Sequence, residues 1–146
     1  MYLFINILVS QEGVFNLIKA LKIEHSAIID NLEETKRLGV YSKEGQDVIF
    51  SIQMNILSHL EKEDKELYPV LTDAMKSERK MNDTLNLFDE NISTVSSTVI
   101  HFFENYARKA KNQLAMETEW LIETLTWRIQ REESLIFAMY EDVHSK

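Results

Sequence analysis

The scarcity of turn-forming residues constrains this chain more strongly than any other feature of its sequence. Its 146 residues include three Gly and one Pro, whereas β-rich folds and loop-rich enzymes need turn residues about every dozen positions. Long helices with few connections are therefore the expected architecture. A hydrophobic fraction of 45% argues against disorder, and the length suits one domain spanning residues 1–146.

Composition also excludes several classes of function. The chain has no Cys, which rules out disulfides, thiolate catalysis and cysteine-ligated metal sites. Its formal charge of −8 disfavours nucleic acid as a partner, because phosphate binding requires a basic surface.

The N-terminal residues 1–9 form an apolar arm. This segment is too short to cross a bilayer, and it lacks the basic start and the small-residue cleavage site of a signal peptide. We therefore expect a cytoplasmic protein without a membrane partner. The arm is expected to pack on the domain itself or on the second subunit of a homodimer.

Hydrophobic periodicity predicts two helices in the first half of the chain. The first spans residues 10–37, with Gly39 as its C-cap. The second begins near Ser42, and Pro69 is expected to kink or end it. Helical residues then resume to about Met75.

Two further helices are predicted in the second half. Asn82 or Asp83 is a suitable N-cap for the third, and a connection at residues 109–112, with Asn112 as cap, leads into the fourth. The fourth helix carries an apolar stripe made of Leu121, Leu125, Leu135 and Met139. Together the short connections predict an all-α, antiparallel four-helix bundle with up-down-up-down topology.

Five ionisable residues interrupt the apolar stripes. His25 lies on the stripe of the first helix, His59 and Glu63 lie four residues apart on the second, and Arg128 and Glu132 repeat that spacing on the fourth. Ionised side chains are almost never fully buried without a partner. These five residues are therefore expected to converge, either with one another alone or around a cation.

Imidazole and carboxylate ligands suit iron, zinc or manganese, and helical bundles place such ligands on facing helices. His25, His59 and Glu63 together therefore predict a metal site. Each residue also has a structural interpretation: His25 as a core histidine, Glu63 as a buried hydrogen-bonded carboxylate and Glu132 as an ion-pair partner of Arg128.

Three segments resemble hemerythrin-like (HHE cation-binding) domains: LKIEHSAII around His25, HLEKEDKELYP from His59, and RIQREESLIF, which contains Arg128 and Glu132. The resemblance covers about residues 14–138. It implies a hemerythrin-like four-helix bundle with a non-haem di-iron site. It also implies His25, His59, Glu63 and Glu132 as metal ligands.

The sequence departs from the family pattern at two places. Arg128 stands where the fourth helix should carry a His, and the third helix offers only Asp89, Glu90 or Asn91 where another His is expected. In the family these two histidines mainly serve one of the two irons, so the resemblance implies one ion here rather than two. His101 matches no family position and is interpreted as a surface or packing residue.

Three functions are compatible with these residues. The first is binding of one iron, zinc or manganese ion for sensing, storage or uptake of a small ligand such as O2 or NO. The second is a metal-free interaction or regulatory module in which Arg128 replaces the metal charge. The third is a redox enzyme, which the lost histidines disfavour because such enzymes need open coordination positions. A non-enzymatic role is therefore favoured.

Overall fold

The computed structural model describes residues 2–75 and 94–145, with side chains described for residues 12–74 and 94–144. These ranges are almost entirely helical and contain no strand. They form four helical segments. The first is α1 (Tyr2–Leu38), and the second consists of α2 (Lys43–Ser51), α3 (Gln53–Lys62) and α4 (Tyr68–Met75). The third is α5 (94–104), and the fourth consists of α6 (Lys111–Arg131) and α7 (Phe137–Ser145). The prediction of an all-helical chain with four helices is confirmed.

The first helix begins earlier than predicted. Its first residue is Tyr2 rather than Ser10, so residues 2–9 continue α1 instead of forming a separate arm. Its end agrees with the prediction: Gly39 has a φ of 100° and its N–H bonds to the carbonyl of Thr35 at 2.9 Å, which is the usual left-handed helix ending.

A tight corner joins α1 to α2. Ser42 caps α2, because its Oγ accepts a hydrogen bond from the Gly45 N–H at 2.9 Å. A Cβ at Gly45 would lie 2.2 Å from the carbonyl oxygen of Gly39. Only glycine therefore allows the start of α2 to approach the end of α1 this closely.

The second helical segment continues through Pro69. A π-helical turn over Glu63–Leu67 precedes it, and α4 follows without interruption. The prediction that Pro69 ends or kinks the helix therefore misplaced the irregularity, which begins six residues earlier, at Glu63. A turn with wider hydrogen bonding leaves backbone carbonyls free, so a residue without an N–H is tolerated directly after it.

The predicted starts of the third helix, Asn82 and Asp83, lie outside the described residues. The connection to the fourth helix differs from the prediction. It contains a 3₁₀ turn at Tyr106–Arg108, and α6 begins at Lys111 after Ala110, which makes no side-chain cap. The assignment of Asn112 as cap was wrong, because the first helical bond of α6 already joins the Leu114 N–H to the Ala110 carbonyl.

Two separate apolar clusters hold the helices together. The larger one draws residues from α1, α2, α3, α5 and α6, and Leu32, Ile49, Ile56, Val99 and Leu121 are its fully buried members. The smaller one joins α1 to α4, α7 and both π-helical turns, through Leu21, Leu67, Leu71 and Ile136. Each buried aliphatic side chain stabilises the fold by about 1.5–3 kcal/mol. Along each contributing helix the ionisable residues lie between the two clusters.

A second π-helical turn, over Glu132–Ile136, shifts the register of the fourth helix. Leu135 is 36% exposed, whereas Ile136 and Tyr140 occupy buried positions at 0% and 5%. The prediction that Leu135 continues the apolar stripe was wrong. A π turn adds a residue to the helical period, so the buried face moves by one position.

None of the described helices combines the length and the apolar character needed to span a bilayer.

Candidate metal centre

The five ionisable residues singled out from the sequence converge between the two apolar clusters. His25, His59, Glu63, Arg128 and Glu132 are exposed by 0%, 3%, 0%, 1% and 0%. Arg128 therefore keeps its whole guanidinium inside and does not extend it to solvent. The predicted convergence of three helices on one polar site is confirmed.

Both carboxylates of the site begin a π-helical turn. Glu63 opens the turn Glu63–Leu67 and Glu132 opens the turn Glu132–Ile136. Such turns inside α-helices frequently occur at functional sites, because they change the direction of side chains within a helix. Neither turn was predicted from the sequence.

Four side chains present donor atoms to one point. One nitrogen or oxygen from each of His25, His59, Glu63 and Glu132 lies within 4.8 Å of all the others. The Nε2 atom of His25 lies 3.0 Å from Glu132 Oε1 and 3.4 Å from Glu63 Oε2, and His59 Nε2 lies 3.1 Å from Glu63 Oε2. A tetrahedral ion with ligands at about 2.0–2.2 Å places neighbouring ligand atoms about 3.4 Å apart. This buried cluster can therefore hold a metal ion.

Two atoms of the cluster test the fit directly. Within the described part of the chain, His59 Nε2 and Glu132 Oε1 are buried and make no hydrogen bond. Each nevertheless lies 3.0–3.1 Å from another potential metal-ligating atom of the cluster. Buried polar atoms left without a hydrogen bond are costly. Ligation of a shared cation would satisfy both atoms.

The outer nitrogens of the two histidines are held by carboxylates that the sequence analysis missed. His25 Nδ1 lies 2.9 Å from Glu133 Oε2, and His59 Nδ1 lies 2.8 Å from Glu24 Oε1. A carboxylate on Nδ1 fixes the proton there and turns the Nε2 lone pair inward, as in many metal sites. Glu24 directly precedes His25 and Glu133 directly follows Glu132, so adjacency to a predicted ligand was the available signal.

Arg128 occupies the opposite side of the two carboxylates. Its Nη2 donates to Glu63 Oε1 at 3.2 Å and its Nε donates to Glu132 Oε2 at 3.2 Å. Ser96 accepts from Nη1 at 3.3 Å and Asp64 lies 3.5 Å from Nη2. The predicted pairing of Arg128 with Glu132 is confirmed, and Glu63 pairs with Arg128 as well. The third-helix candidates Asp89, Glu90 and Asn91 lie outside the described residues.

Aromatic rings enclose the polar cluster on the side of the smaller apolar cluster. The ring of Phe137 stacks on His25 with centroids 5.4 Å apart, and the Arg128 guanidinium lies 5.3 Å from the ring centre of Tyr68. The Tyr68 hydroxyl donates a hydrogen bond to Glu132 Oε2. These contacts limit access of water from that side.

The electrostatics of the cluster follow from burial and close opposite charges. Burial opposes the imidazolium, yet the carboxylates of Glu132 and Glu63 raise the pKa of His25 to about 10. Burial likewise opposes ionisation of Glu63, but the adjacent His25 and His59 hold its pKa below the usual range. Burial and the neighbouring Glu63 raise the pKa of Glu132. The two carboxylates therefore lie against opposite charge from Arg128 and, when it is protonated, from His25.

His101 and His144 take no part in this site. His101 is exposed and contacts the side chain of Asn105 on its own helix, in agreement with the predicted surface role. His144 bonds to the Tyr140 carbonyl at 2.9 Å.

Comparison of the chain with protein-family models, with curated proteins and with solved structures gave no significant match. What the chain does must therefore be argued from the site itself.

Proposed function

We propose that this chain is a hemerythrin-like, antiparallel four-helix bundle that binds one divalent metal ion, with iron favoured over zinc or manganese. His25, His59, Glu63 and Glu132 would hold the ion. Sensing, storage or binding of a small ligand such as O2 or NO are the functions that such a site supports. The resemblance of the three sequence segments to HHE domains supports the choice of iron.

One observation carries the proposal. The Nε2 atoms of two histidines and one oxygen from each of two carboxylates point to the same place, while carboxylates on the outside hold both Nδ1 atoms. His59 Nε2 and Glu132 Oε1 lie 3.1 Å and 3.0 Å from neighbouring ligand atoms, and neither atom makes a hydrogen bond in the described part of the chain. A shared cation would satisfy both atoms.

Arg128 supports one ion rather than two. Each carboxylate turns one oxygen to the histidines and the other to the guanidinium, so Glu63 and Glu132 bridge Arg128 and the proposed metal position. In the resembled family both carboxylates bridge two irons. A permanently charged guanidinium in the second position neutralises both carboxylates and occupies the oxygens of Glu63 and Glu132 that a second ion would need.

The chain's own residues have separate tasks in this proposal. The ion would supply Lewis acidity and, if it is iron, electron transfer toward a small ligand. His25 and His59 orient it through their neutral Nε2 atoms. Glu24 and Glu133 keep the Nδ1 protons on the outside, and the surrounding apolar side chains exclude water.

Elemental analysis of untagged protein tests the proposal. We expect one ion per chain in the native protein and in His101→Ala, whose imidazole is exposed, and none in His59→Ala. Because ligation energy adds to folding energy, an ion present at about 100 times its Kd stabilises the fold by roughly 2.7 kcal/mol. A chelator should therefore lower the melting temperature of the native protein and of His101→Ala, and leave that of His59→Ala unchanged.

The metal-free regulatory module is the second candidate, and a specific observation favours it. His25, with its raised pKa, and Arg128 already balance the charges of Glu63 and Glu132. Native protein that contains no ion after expression in iron- and zinc-replete medium, and whose stability does not respond to a chelator, would establish this alternative and refute the metal proposal.

A further inference from the structure

Each histidine of the cluster lies behind a groove on the protein surface. The His25 groove, about 780 Å³ in volume, runs between α1 and α6, and His25 and Glu133 form part of its wall. The His59 groove, about 300 Å³, runs between α1 and α3, and Glu24 lies on its wall. In both grooves the carboxylate that holds a histidine Nδ1 therefore separates the buried donors from solvent.

The two grooves differ in charge. Asp30, Glu33 and Glu133 line the His25 groove, and among the described side chains no Lys or Arg lines it. Lys36 lies 3.7 Å from Glu33, but both side chains are more than half exposed and such pairs are weak. In the described part of the chain, Glu24 is the only ionisable residue lining the His59 groove, and Lys62 contacts it at 2.5 Å.

The two carboxylates also differ in how firmly they are held. Glu24 bonds to both His59 and Lys62 and is 33% exposed. Glu133 is 41% exposed, and His25 is its one recorded side-chain partner in the described ranges. Movement of Glu133 therefore breaks one contact, whereas movement of Glu24 breaks two.

Within the described residues, the cavity on the interior side of the cluster gives no alternative path. On the side of the larger apolar cluster, the cavity that touches His59, Glu63 and Arg128 has a volume of about 10 Å³, enclosed otherwise mainly by Ile and Leu side chains. This is about the minimum that holds one water molecule. A hydrated divalent cation cannot reach the donors from there.

We propose that a divalent cation reaches the donor cluster through the His25 groove, where Asp30, Glu33 and Glu133 attract it and Glu133 is the carboxylate that must move to admit it. This inference rests on the proposed metal binding and adds the direction of access. A cleft lined by one sign of charge raises the local concentration of the opposite ion and the rate of association, and salt removes the effect.

The electrostatic test compares two double variants with the same change in net charge. Asp30→Asn/Glu33→Gln neutralises two of the three carboxylates of the His25 groove. Glu44→Gln/Asp47→Asn neutralises two exposed carboxylates of α2, about 18–22 Å along the helix from His59. Stopped-flow mixing of metal-free protein with Co²⁺ measures the association rate. We expect the first variant to associate about 3–10 times more slowly at low salt, with the difference disappearing at high salt. The second variant should match the native rate.

A steric test uses two exposed serines. Ser134 lines the His25 groove and Ser58 lines the His59 groove. Ser134→Trp should slow Co²⁺ association, whereas Ser58→Trp should leave it unchanged. All four variants should still bind one ion at equilibrium.

The outcomes separate this inference from the proposed function. Equal slowing by the two double variants, or slowing by Ser58→Trp alone, would overturn the assigned direction of access while metal binding stands. If the native chain binds no Co²⁺, Fe²⁺, Zn²⁺ or Mn²⁺, the proposed function fails and the access route fails with it.

Discussion

The second and fourth helical segments contain the same local structure with one decisive exchange. In each, a basic residue lies four positions before a carboxylate, the carboxylate opens a five-residue π-helical turn, and an aromatic residue follows the turn. The first copy has His59, Glu63 and Tyr68, and the second has Arg128, Glu132 and Phe137.

The exchange decides what each half of the site can bind. A histidine whose Nδ1 is held by a carboxylate offers a lone pair to a metal, whereas a guanidinium has no lone pair to offer and is always charged. The residue after each carboxylate also supports another part of the site, because Asp64 contacts Arg128 of the second copy and Glu133 contacts His25 of α1. One pair of carboxylates thereby faces the cation built into the chain on one side and, on the other, the position that the proposed metal ion would occupy.

Removing the guanidinium gives the largest expected effect. Arg128→Ala should lower the free energy of unfolding by about 3–5 kcal/mol, since it leaves the buried Glu63 and Glu132 charges uncompensated. Chemical denaturation in the presence of a chelator measures this change. Arg131→Ala, at an exposed position of the same helix, should change stability by about 0.5 kcal/mol or less. Equal effects of the two substitutions would show that Arg128 has no structural role in the second copy of this local structure.

The register of the second π turn gives the next largest effect. Ile136→Ala should cost about 2–5 kcal/mol, because it opens a cavity in the smaller apolar cluster. Leu135→Ala should cost much less, as 36% of Leu135 is exposed. Denaturation curves of the two variants, recorded under the same conditions, measure the two losses in the free energy of unfolding. A reversed order would mean that the helix keeps a regular α-helical register, as the sequence pattern predicts.

Making the two copies alike should enlarge the metal site. Arg128→His replaces the built-in cation with a ligand and frees one oxygen of Glu63 and one of Glu132. We expect the affinity for Fe²⁺ to rise about tenfold, which corresponds to about 1.4 kcal/mol. Anaerobic titration measures the affinity, with Arg131→His as the control for an added histidine. No gain, or equal gains in both variants, would contradict the role of Arg128 as a substitute for the second metal.

The last expected effect is a pH dependence of the metal-free protein. The pKa of His25 is raised from its ordinary value of 6.5 to about 10 in the fold. The stability contributed by its proton is thus complete below pH 6.5 and is lost as the pH rises toward 10. One such group lowers the free energy of unfolding by at most about 1.4 kcal/mol per pH unit. Chemical denaturation in the presence of a chelator should show that the free energy of unfolding declines between pH 6.5 and 8.5.

Two controls strengthen the pH measurement. His25→Gln should flatten the decline, because it removes the titrating group that faces Glu63, Glu132 and Glu133. In the native protein with an ion bound, the ion takes the place of the proton on Nε2, so metal affinity should increase with pH. Stability that rises with pH in the chelated native protein would contradict the assigned charge of His25.

The polar positions of the site could be predicted because they interrupt regular apolar stripes. His25, His59, Glu63, Arg128 and Glu132 occur where a helical period places the interior, and burial of a charge requires a partner. Glu24 and Glu133 were missed because neither lies on an apolar stripe. Each reaches its histidine from the edge of a helix, and only the packing of neighbouring helices brings them together.

The sequence by itself determined the helical content, the corner with Gly39 and Ser42, and the identity of the four candidate ligands, since these depend on local backbone preferences and on periodicity. The tertiary structure alone decided the two π-helical turns, which cost hydrogen-bond geometry in an isolated helix and are stabilised only when both sides of the turn are packed. It also decided that Arg128 faces one oxygen of each carboxylate and leaves the other to the histidines. That division depends on distances between helices, and residues 65 positions apart, such as Glu63 and Arg128, carry no trace of it in their local sequence.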